Sequence, residues 1–201
     1  MNRNNNPSAF TALMIAGALA LAGCSAATPA EEPPLAGSTI GGDFALTNSA
    51  GETVRWGDFA GKYRIVYFGY AFCPDICPTD MQRVAQGLKV LKGQDPAKAA
   101  QIQPIFITID PARDTQKVVG EFAAAFSPDI IGLTGTPEQI AATAKTFKIF
   151  YAKGEEMEGG GYLVDHSNIV YLFGPEGEPL ATLPVDQGAD AVAAELDRWV
   201  K

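Results

Sequence analysis

"YRIVYFGYAFCPDICPTDM", residues 63–81, decides how this chain is read. A nearly continuous apolar and aromatic run leads into two cysteines, Cys73 and Cys77, each followed by a proline. Such a run suits a strand covered on both faces. The segment after it, "PTDMQRVAQGLKVLKG", has Met81, Val84, Leu88 and Leu91 at helical spacing, a proline near its start and Gly93 as a stop. The cysteines therefore stand where a buried strand gives way to a helix. The unpaired N–H groups and partial positive charge of a helix start predict that thiolate is favoured there over thiol. A spacing of four brings two side chains to one face if the segment is helical. Pro74 and Pro78 remove two backbone donors that would otherwise compete for sulfur electrons. The plainer use of the pair is a structural disulfide across a short loop. A strand-to-helix corner favours a functional pair instead.

Outward from this corner the chain alternates. Upstream, "DFALTNSAGETVRWGDF" reads as a hairpin turning at Ser49, Ala50 and Gly51. Downstream, "IQPIFITID" is a second buried strand, "TQKVVGEFAAAF" a helix and "DIIGLTG" a short strand. "TPEQIAATAKTFKIF" starts a helix with Thr136 as N-cap, Pro137 at the first helical position and Glu138 in the first turn. "SNIVYLFGPEGEPLATLP" is a hairpin through Gly174 to Gly177, and "GADAVAAELDRWV" a closing helix. This order predicts an α/β thioredoxin-like fold: a central mixed sheet flanked by helices, with an N-terminal β-hairpin and its two buried strands parallel.

The compartment decides what a thiol can do. Arg3 precedes an apolar run from about Phe10 to Ala22, and no acidic residue occurs before residue 31. This is the shape of a secretory signal, with a run too short to span a bilayer comfortably. It ends in Leu21-Ala22-Gly23-Cys24, which resembles a bacterial lipobox and implies cleavage before Cys24 with lipid on its sulfur. Residues 1–23 are thus expected to be a lipoprotein signal peptide, 24–38 a lipidated cysteine and flexible tether, and 39–201 one domain. The tether "SAATPAEEPPLAGS" is rich in Ala, Pro and Glu with no apolar period. The domain would sit outside the cytoplasm, anchored to a bacterial membrane and facing the periplasm, where an unprotected thiol pair tends to form a Cys73–Cys77 disulfide. Cleavage removes Arg3 as its only charged residue and takes the net charge from −8 to −9. An acidic domain argues against nucleic acid and against adhesion to anionic lipid headgroups.

"YFGYAFCPDICPTDM", "ITIDPARDT" and "YLVDHSNIVYL" together resemble the Sco (SenC) family of copper-binding proteins that assist cytochrome c oxidase assembly. The similarity runs from about Phe44 to Lys201. It implies that Cys73, Cys77 and His166 are copper ligands, that the fold is thioredoxin-like, and that the partner is the oxidase subunit carrying the binuclear copper centre. Donor chemistry agrees: thiolates suit Cu(I), imidazole also suits Cu(II), and a structural zinc site would normally fill four positions. His166 is the only histidine in the chain, and the glycines at 159–161 upstream predict a loop that moves to close on or release metal. Asp75 and Asp165 are candidates to support the ligands from behind. "DPARDT", residues 110–115, reads as a turn and helix cap with Arg113 pairing locally. Tyr67, Phe68, Tyr70 and Phe72 read as core and rim. The competing function is a thiol-disulfide oxidoreductase acting on the oxidase copper-site cysteines or other extracytoplasmic thiols; it can coexist with copper binding because the same sulfurs serve both.

Overall fold

The computed structural model describes residues 31–157 and 160–201. The expected signal peptide, Cys24 and the expected tether up to residue 30 lie outside the described residues. Among the described residues no helix is long and apolar enough to cross a membrane.

The N-terminal hairpin forms as expected, with β1 (Ala45–Thr47) antiparallel to β2 (Thr53–Arg55). The Asn48 side chain accepts from the Ala50 and Glu52 amides and so closes its turn. The buried run becomes β3 (Tyr63–Gly69), every residue of which is buried. Helix α1 (Ile76–Gln94) follows, then the single-turn α2 (Pro96–Ala99), β4 (Ile102–Thr108), α3 (Gln116–Ala124) and β5 (Ile131–Leu133). Next come α4 (Pro137–Thr146), β6 (Tyr151–Glu156), β7 (Tyr162–His166), β8 (Val170–Phe173), β9 (Pro179–Thr182) and α5 (Ala189–Trp199).

Five strands form the central sheet in the order β5-β4-β3-β8-β9. β3 and β4 are parallel, as are β4 and β5, while β8 runs antiparallel to β3 and β9 antiparallel to β8. This is the mixed, helix-flanked sheet that the element order predicts. Local signals act where expected: Thr136 caps α4 through the Gln139 amide, with Pro137 opening the helix, and Thr115 caps α3 through the Val118 amide. Met81, Val84 and Leu91 on α1 are buried, and Gly87 lets α5 approach closely: a Cβ there would lie 2.5 Å from Val192 Cγ1.

Three details differ from the sequence reading. α1 begins at Ile76, not at Pro78, so Cys77 lies inside its first turn. Proline has no N–H to lose in that turn, so Pro78 is accommodated there. Gly93 does not stop the helix, which runs on to Gln94. β6 and β7, which the sequence reading did not separate, pair as an antiparallel ribbon outside the central sheet.

The core behind the sheet is aromatic. Trp56, Phe147 and Phe173 meet edge to face with ring centroids 5.1–5.5 Å apart, and Arg64 stacks on Trp56 at 4.4 Å. Phe147 is fully buried and also touches Phe44 and Phe68. Phe147→Ala removes the ring shared by these contacts and should cost about 3–5 kcal/mol in denaturant unfolding. A loss below about 1 kcal/mol would show that the cluster does not hold the sheet as described.

Candidate metal centre

The last residue of β3 governs the site. A Cβ on Gly69 would lie 3.0 Å from Cys77 Sγ, 2.9 Å from Tyr67 Cε1 and 3.1 Å from Phe106 Cε2. Only a hydrogen fits, so glycine lets the Cys77 sulfur pack against the strand end with no exposure. Beyond it the chain bends at Tyr70, whose carbonyl accepts from the Cys73 amide at 3.2 Å. The bend brings Cys73 over the start of α1, where the Cys77 amide donates to the Cys73 sulfur at 3.4 Å. The two cysteines are free thiols and both are buried.

His166 closes the group from the end of β7. Its Nε2 lies 3.3 Å from Cys77 Sγ, and its Nδ1 lies 2.9 Å from the Ser167 carbonyl. A carbonyl only accepts, so Nδ1 carries the proton and Nε2 faces the sulfurs with its lone pair. Tyr67 and Tyr70 pack edge-on against the imidazole at 6.3 and 5.9 Å between ring centroids. The two sulfurs and an imidazole nitrogen all lie within 4.8 Å of one another. Thiolate and imidazole bonds to a first-row metal are roughly 2.0–2.3 Å long, so one ion can span these three atoms.

Electrostatics correct one expectation. Burial pushes the Cys77 thiol well above its ordinary range; the Tyr70 backbone and the Tyr67 hydroxyl oppose this, and Cys73 adds to it. Desolvation outweighs the helix end, whose nearest amide points at Cys73 instead. Cys77 is therefore held as a thiol until a cation takes the place of its proton.

The ribbon corrects another. His166 is fixed in a strand: its neighbour Ser167 exchanges hydrogen bonds with Phe150, and Val164 donates its amide to the Tyr70 hydroxyl at 3.2 Å. Gly160 and Gly161 have φ near +90°, but they stand at the other end of β7, beside the turn between the ribbon strands. Gly159 lies outside the described residues. The glycines thus serve the ribbon turn and do not form a hinge adjacent to the histidine.

The segment at 110–115 does more than turn the chain. Asp114 is fully buried; its Oδ2 accepts from the Ala71 amide at 2.8 Å and the Thr108 hydroxyl at 2.7 Å, which holds the bend before Cys73. Arg113 pairs with Asp110 as expected, but also donates to the Tyr162 carbonyl at 2.9 Å and stacks on the Tyr162 ring at 3.7 Å. The Tyr162 hydroxyl donates to Asp110 at 2.8 Å. One turn after β4 therefore holds both the cysteine loop and the start of the histidine strand. Asp75 and Asp165 are both exposed, and Asp75 offers α1 no side-chain cap. The buried carboxylate nearest the ligands in α1 is Asp80, which accepts from the Tyr67 hydroxyl at 3.2 Å. Sequence reasoning missed it; the signal was an acid one turn after Cys77 on the same helix as the buried Met81 and Val84.

A thioredoxin-like domain with two buried cysteines at its strand-to-helix corner, faced by a half-buried histidine, is the class that fold and site define. A family model described as SCO1/SenC matches residues 32–201, and the chain belongs to that family. It is 34 % identical over 157 residues to "Protein SCO1 homolog, mitochondrial" of Homo sapiens, covering 78 % of this chain and 52 % of the relative. It is 42 % identical over 176 residues to "Protein SCO1 homolog 1, mitochondrial" of Arabidopsis thaliana, covering 85 % and 52 %. The chain thus spans about half the length of these curated relatives. Among solved structures, Bradyrhizobium japonicum ScoI with copper bound is 32 % identical at a TM-score of 0.71, over 80 % of this chain and 99 % of that one.

Asp114 generates a pH prediction. Burial raises its pKa, outweighing the hydrogen bonds that lower it, and its Oδ1 has no partner. A group whose folded pKa exceeds its unfolded value of about 3.9 contributes stability in full below that value and loses it as pH rises through the folded pKa. Asp114→Asn keeps one acceptor oxygen for Ala71 and Thr108 and does not titrate. The stability of the mutant relative to wild type should therefore improve as pH rises from about 4 towards neutral. Denaturant melts across that range test this, and a constant or falling difference would contradict it.

Proposed function

We propose that this chain is a copper metallochaperone that binds Cu(I) or Cu(II) through Cys73, Cys77 and His166 and assists assembly of the binuclear copper centre of cytochrome c oxidase. The observation that carries the reading is the convergence of two sulfurs and one imidazole nitrogen within 4.8 Å. Two soft donors suit Cu(I), and the nitrogen extends the set to Cu(II). A three-donor set leaves the ion open to a receiving ligand, whereas a structural zinc site is closed by four. Membership of the SCO1/SenC family and the copper held by the Bradyrhizobium relative support the same reading.

The ion is cargo, and the chain's own residues do the handling. Nδ1–H of His166 donates to the Ser167 carbonyl and so keeps Nε2 available. Cys77 gives up its proton on loading, so uptake is coupled to proton release. The proposed receiver is the oxidase subunit that carries the binuclear copper site. The proposed placement is extracytoplasmic: residues 1–23 a signal peptide, Cys24 lipidated, 24–38 a tether and 39–201 the copper-binding domain, facing the periplasm. The closeness of two free thiols favours a second, compatible activity, thiol-disulfide exchange with the oxidase copper-site cysteines or other extracytoplasmic thiols. In that reaction Cys73 and Cys77 are oxidised to a disulfide as a target disulfide is reduced to two thiols.

His166→Ala separates the two activities. The mutant should lose stable Cu(II) binding and its thiolate-to-Cu(II) absorption, a loss larger than the roughly 10- to 100-fold typical of removing a ligand's supporting partner. It should keep Cu(I) on two thiolates and still oxidise to the Cys73–Cys77 disulfide, which in turn should bind no copper until reduced. Full Cu(II) binding together with normal oxidase assembly in cells would refute the ligand assignment.

For the anchor, Cys24→Ser should abolish incorporation of radioactive fatty acid, because the thioether requires sulfur. Equal labelling of wild type and mutant would rule the lipid anchor out.

A further inference from the structure

A second concavity opens at the other end of the sheet. A cleft of about 690 Å³ lies between the second half of α1, α2, the start of β4 and the segment that leads from α3 into β5. Its floor is apolar, formed by Ala85, Leu88, Ala99, Ile102, Phe126 and Ile131. Ile102 belongs to the core and the others pack against it. Phe126 is braced by Phe122, which packs on buried Phe106. The wall is tied as well: the Gln103 side chain donates to the Asp129 carbonyl at 2.9 Å and joins β4 to the approach to β5. β4 pairs in parallel with β3, Tyr63 with Ile102 and Gly69 with Thr108. The cleft stands at the Ile102 end and the cysteine corner at the Gly69 end, roughly 20 Å away at about 3.3 Å per residue. It is a separate feature, and nothing about it depends on the copper reading.

The rim of the cleft is basic. Lys62, Lys89 and Lys92 line it against one acid, Asp129, in a chain of net charge −8. Lys89 and Lys92 stand three apart on α1, so they are neighbours on one helix face and repel. Among the described residues neither has an ion-pair partner, whereas Lys98, Lys117 and Lys153 each pair with an acid. Lys62 donates to the Ala100 carbonyl at 2.8 Å, which leaves two of the three hydrogens on its ammonium for another acceptor.

We propose that this cleft binds a single-chain amphiphile with an anionic head, a carboxylate or a phosphate at the end of one acyl chain. The volume falls within the roughly 300–1,000 Å³ of small-ligand sites, and the floor and wall are already formed. A protein partner instead needs a broad surface, roughly 800 Å² a side. An acyl chain laid on the floor takes apolar surface out of water. An anionic head at the rim meets the ammonium groups of Lys89 and Lys92 and relieves their repulsion, with Lys62 supplying further donors. A neutral lipid would leave the lysines unpaired, and a small anion would leave the apolar floor in water. The two-part lining thus selects a two-part ligand.

The probe for the test is dodecanoate with a diazirine on its chain, photolysed with the purified whole chain in detergent-free buffer. Labelling should saturate, and peptide mass spectrometry should place it on α1 and on the 126–131 segment. Unlabelled dodecanoate and dodecyl phosphate should compete, the tighter of the two naming the head. Dodecanol and inorganic phosphate should not compete at the same concentrations. Shortening the competing carboxylate should weaken it by up to about fourfold per methylene. Lys89→Gln combined with Lys92→Gln should raise the probe concentration for half-maximal labelling about tenfold or more. Both lysines are exposed, so the double variant should melt as wild type does. Labelling outside the cleft, competition by dodecanol equal to that by dodecanoate, or an unchanged half-maximal concentration in the double variant overturns the proposal. A hexaglutamate peptide that displaces the probe better than dodecanoate would assign the cleft to an acidic protein segment and overturn it as well.

Discussion

The Cys77 sulfur is sealed against Gly69, and the rest of the site is arranged around that one buried atom. Its burial needs a glycine at the end of β3, a helix that begins early enough to carry Cys77 in its first turn, and an imidazole arriving from elsewhere to face it at 3.3 Å. Each requirement belongs to a different level of structure. The glycine is a choice of residue, the helix start is local, and the imidazole comes from a strand 89 residues further along the chain. Burial also sets the chemistry, because it keeps the thiol protonated by a desolvation cost that outweighs the helix end. An uncharged thiol is also a poor nucleophile, so burial slows attack by the Cys77 sulfur itself.

The histidine reaches this point through a chain of polar contacts that begins at β4. Asp110 and Arg113 grip Tyr162, while Asp114 grips the amide of Ala71. The two grips lie in one five-residue stretch, so the cysteine loop and the histidine strand are registered to the same short turn. Tyr70 adds a second tie: its ring packs on His166 and its hydroxyl accepts from Val164. A ribbon outside the central sheet would by itself be poorly positioned, since two paired strands are marginal without packing. Here the register is supplied by side chains that are themselves buried or stacked.

Much of this was legible beforehand, for reasons that can be named. β3, β4 and α1 announce themselves because their apolar patterns are long and their punctuation is strong. Thr136, Pro137 and Glu138 form a compact start signal, and local signals survive folding unchanged. Cys73, Cys77 and His166 were legible as chemistry, because thiols and a sole imidazole stand out whatever the fold. The ribbon was not, because "YAKGEEMEGGGYLVDH" has little alternation, and its pairing is irregular between Lys153 and Glu156. Asp110, Arg113 and Asp114 read as a turn and helix cap with no more than a share in shaping the site, since their decisive partners lie 43 to 52 residues away. Tyr67 and Asp80 were hidden differently: an aromatic in a buried run reads as core, and an acid in a helix reads as surface. At Cys77 the thiolate expectation failed because a helix start can be seen in a sequence, while the burial that outweighs it is a property of the packed whole.

The division between the two halves of the site has a consequence for how an ion could be held and given up. Cys73 and Cys77 belong to a corner continuous with the core, so their separation changes little unless the fold itself opens. His166 belongs to the ribbon, which is tied to the core by buried Val164, by Tyr151 and Tyr162 packed against it, and by polar and stacking contacts at Tyr162, Val164 and the imidazole. The ribbon lies outside the central sheet that holds β3 against β4, so local opening of the site would lose the nitrogen and retain the sulfurs. On the copper reading, that step takes a three-donor ion to a two-sulfur ion. Two thiolates satisfy Cu(I) but not Cu(II), so the opened state is selective for the reduced ion. A receiving protein that offers its own sulfur or nitrogen would then enter where the imidazole left. It would meet exposed Phe72 and Ile76, which flank the cysteines in sequence, and exposed Phe150 at the root of the ribbon. An apolar rim of this kind excludes water from an exchange in progress. On the copper reading, imidazole first and sulfur last is the order of release that the placement of the ligands favours.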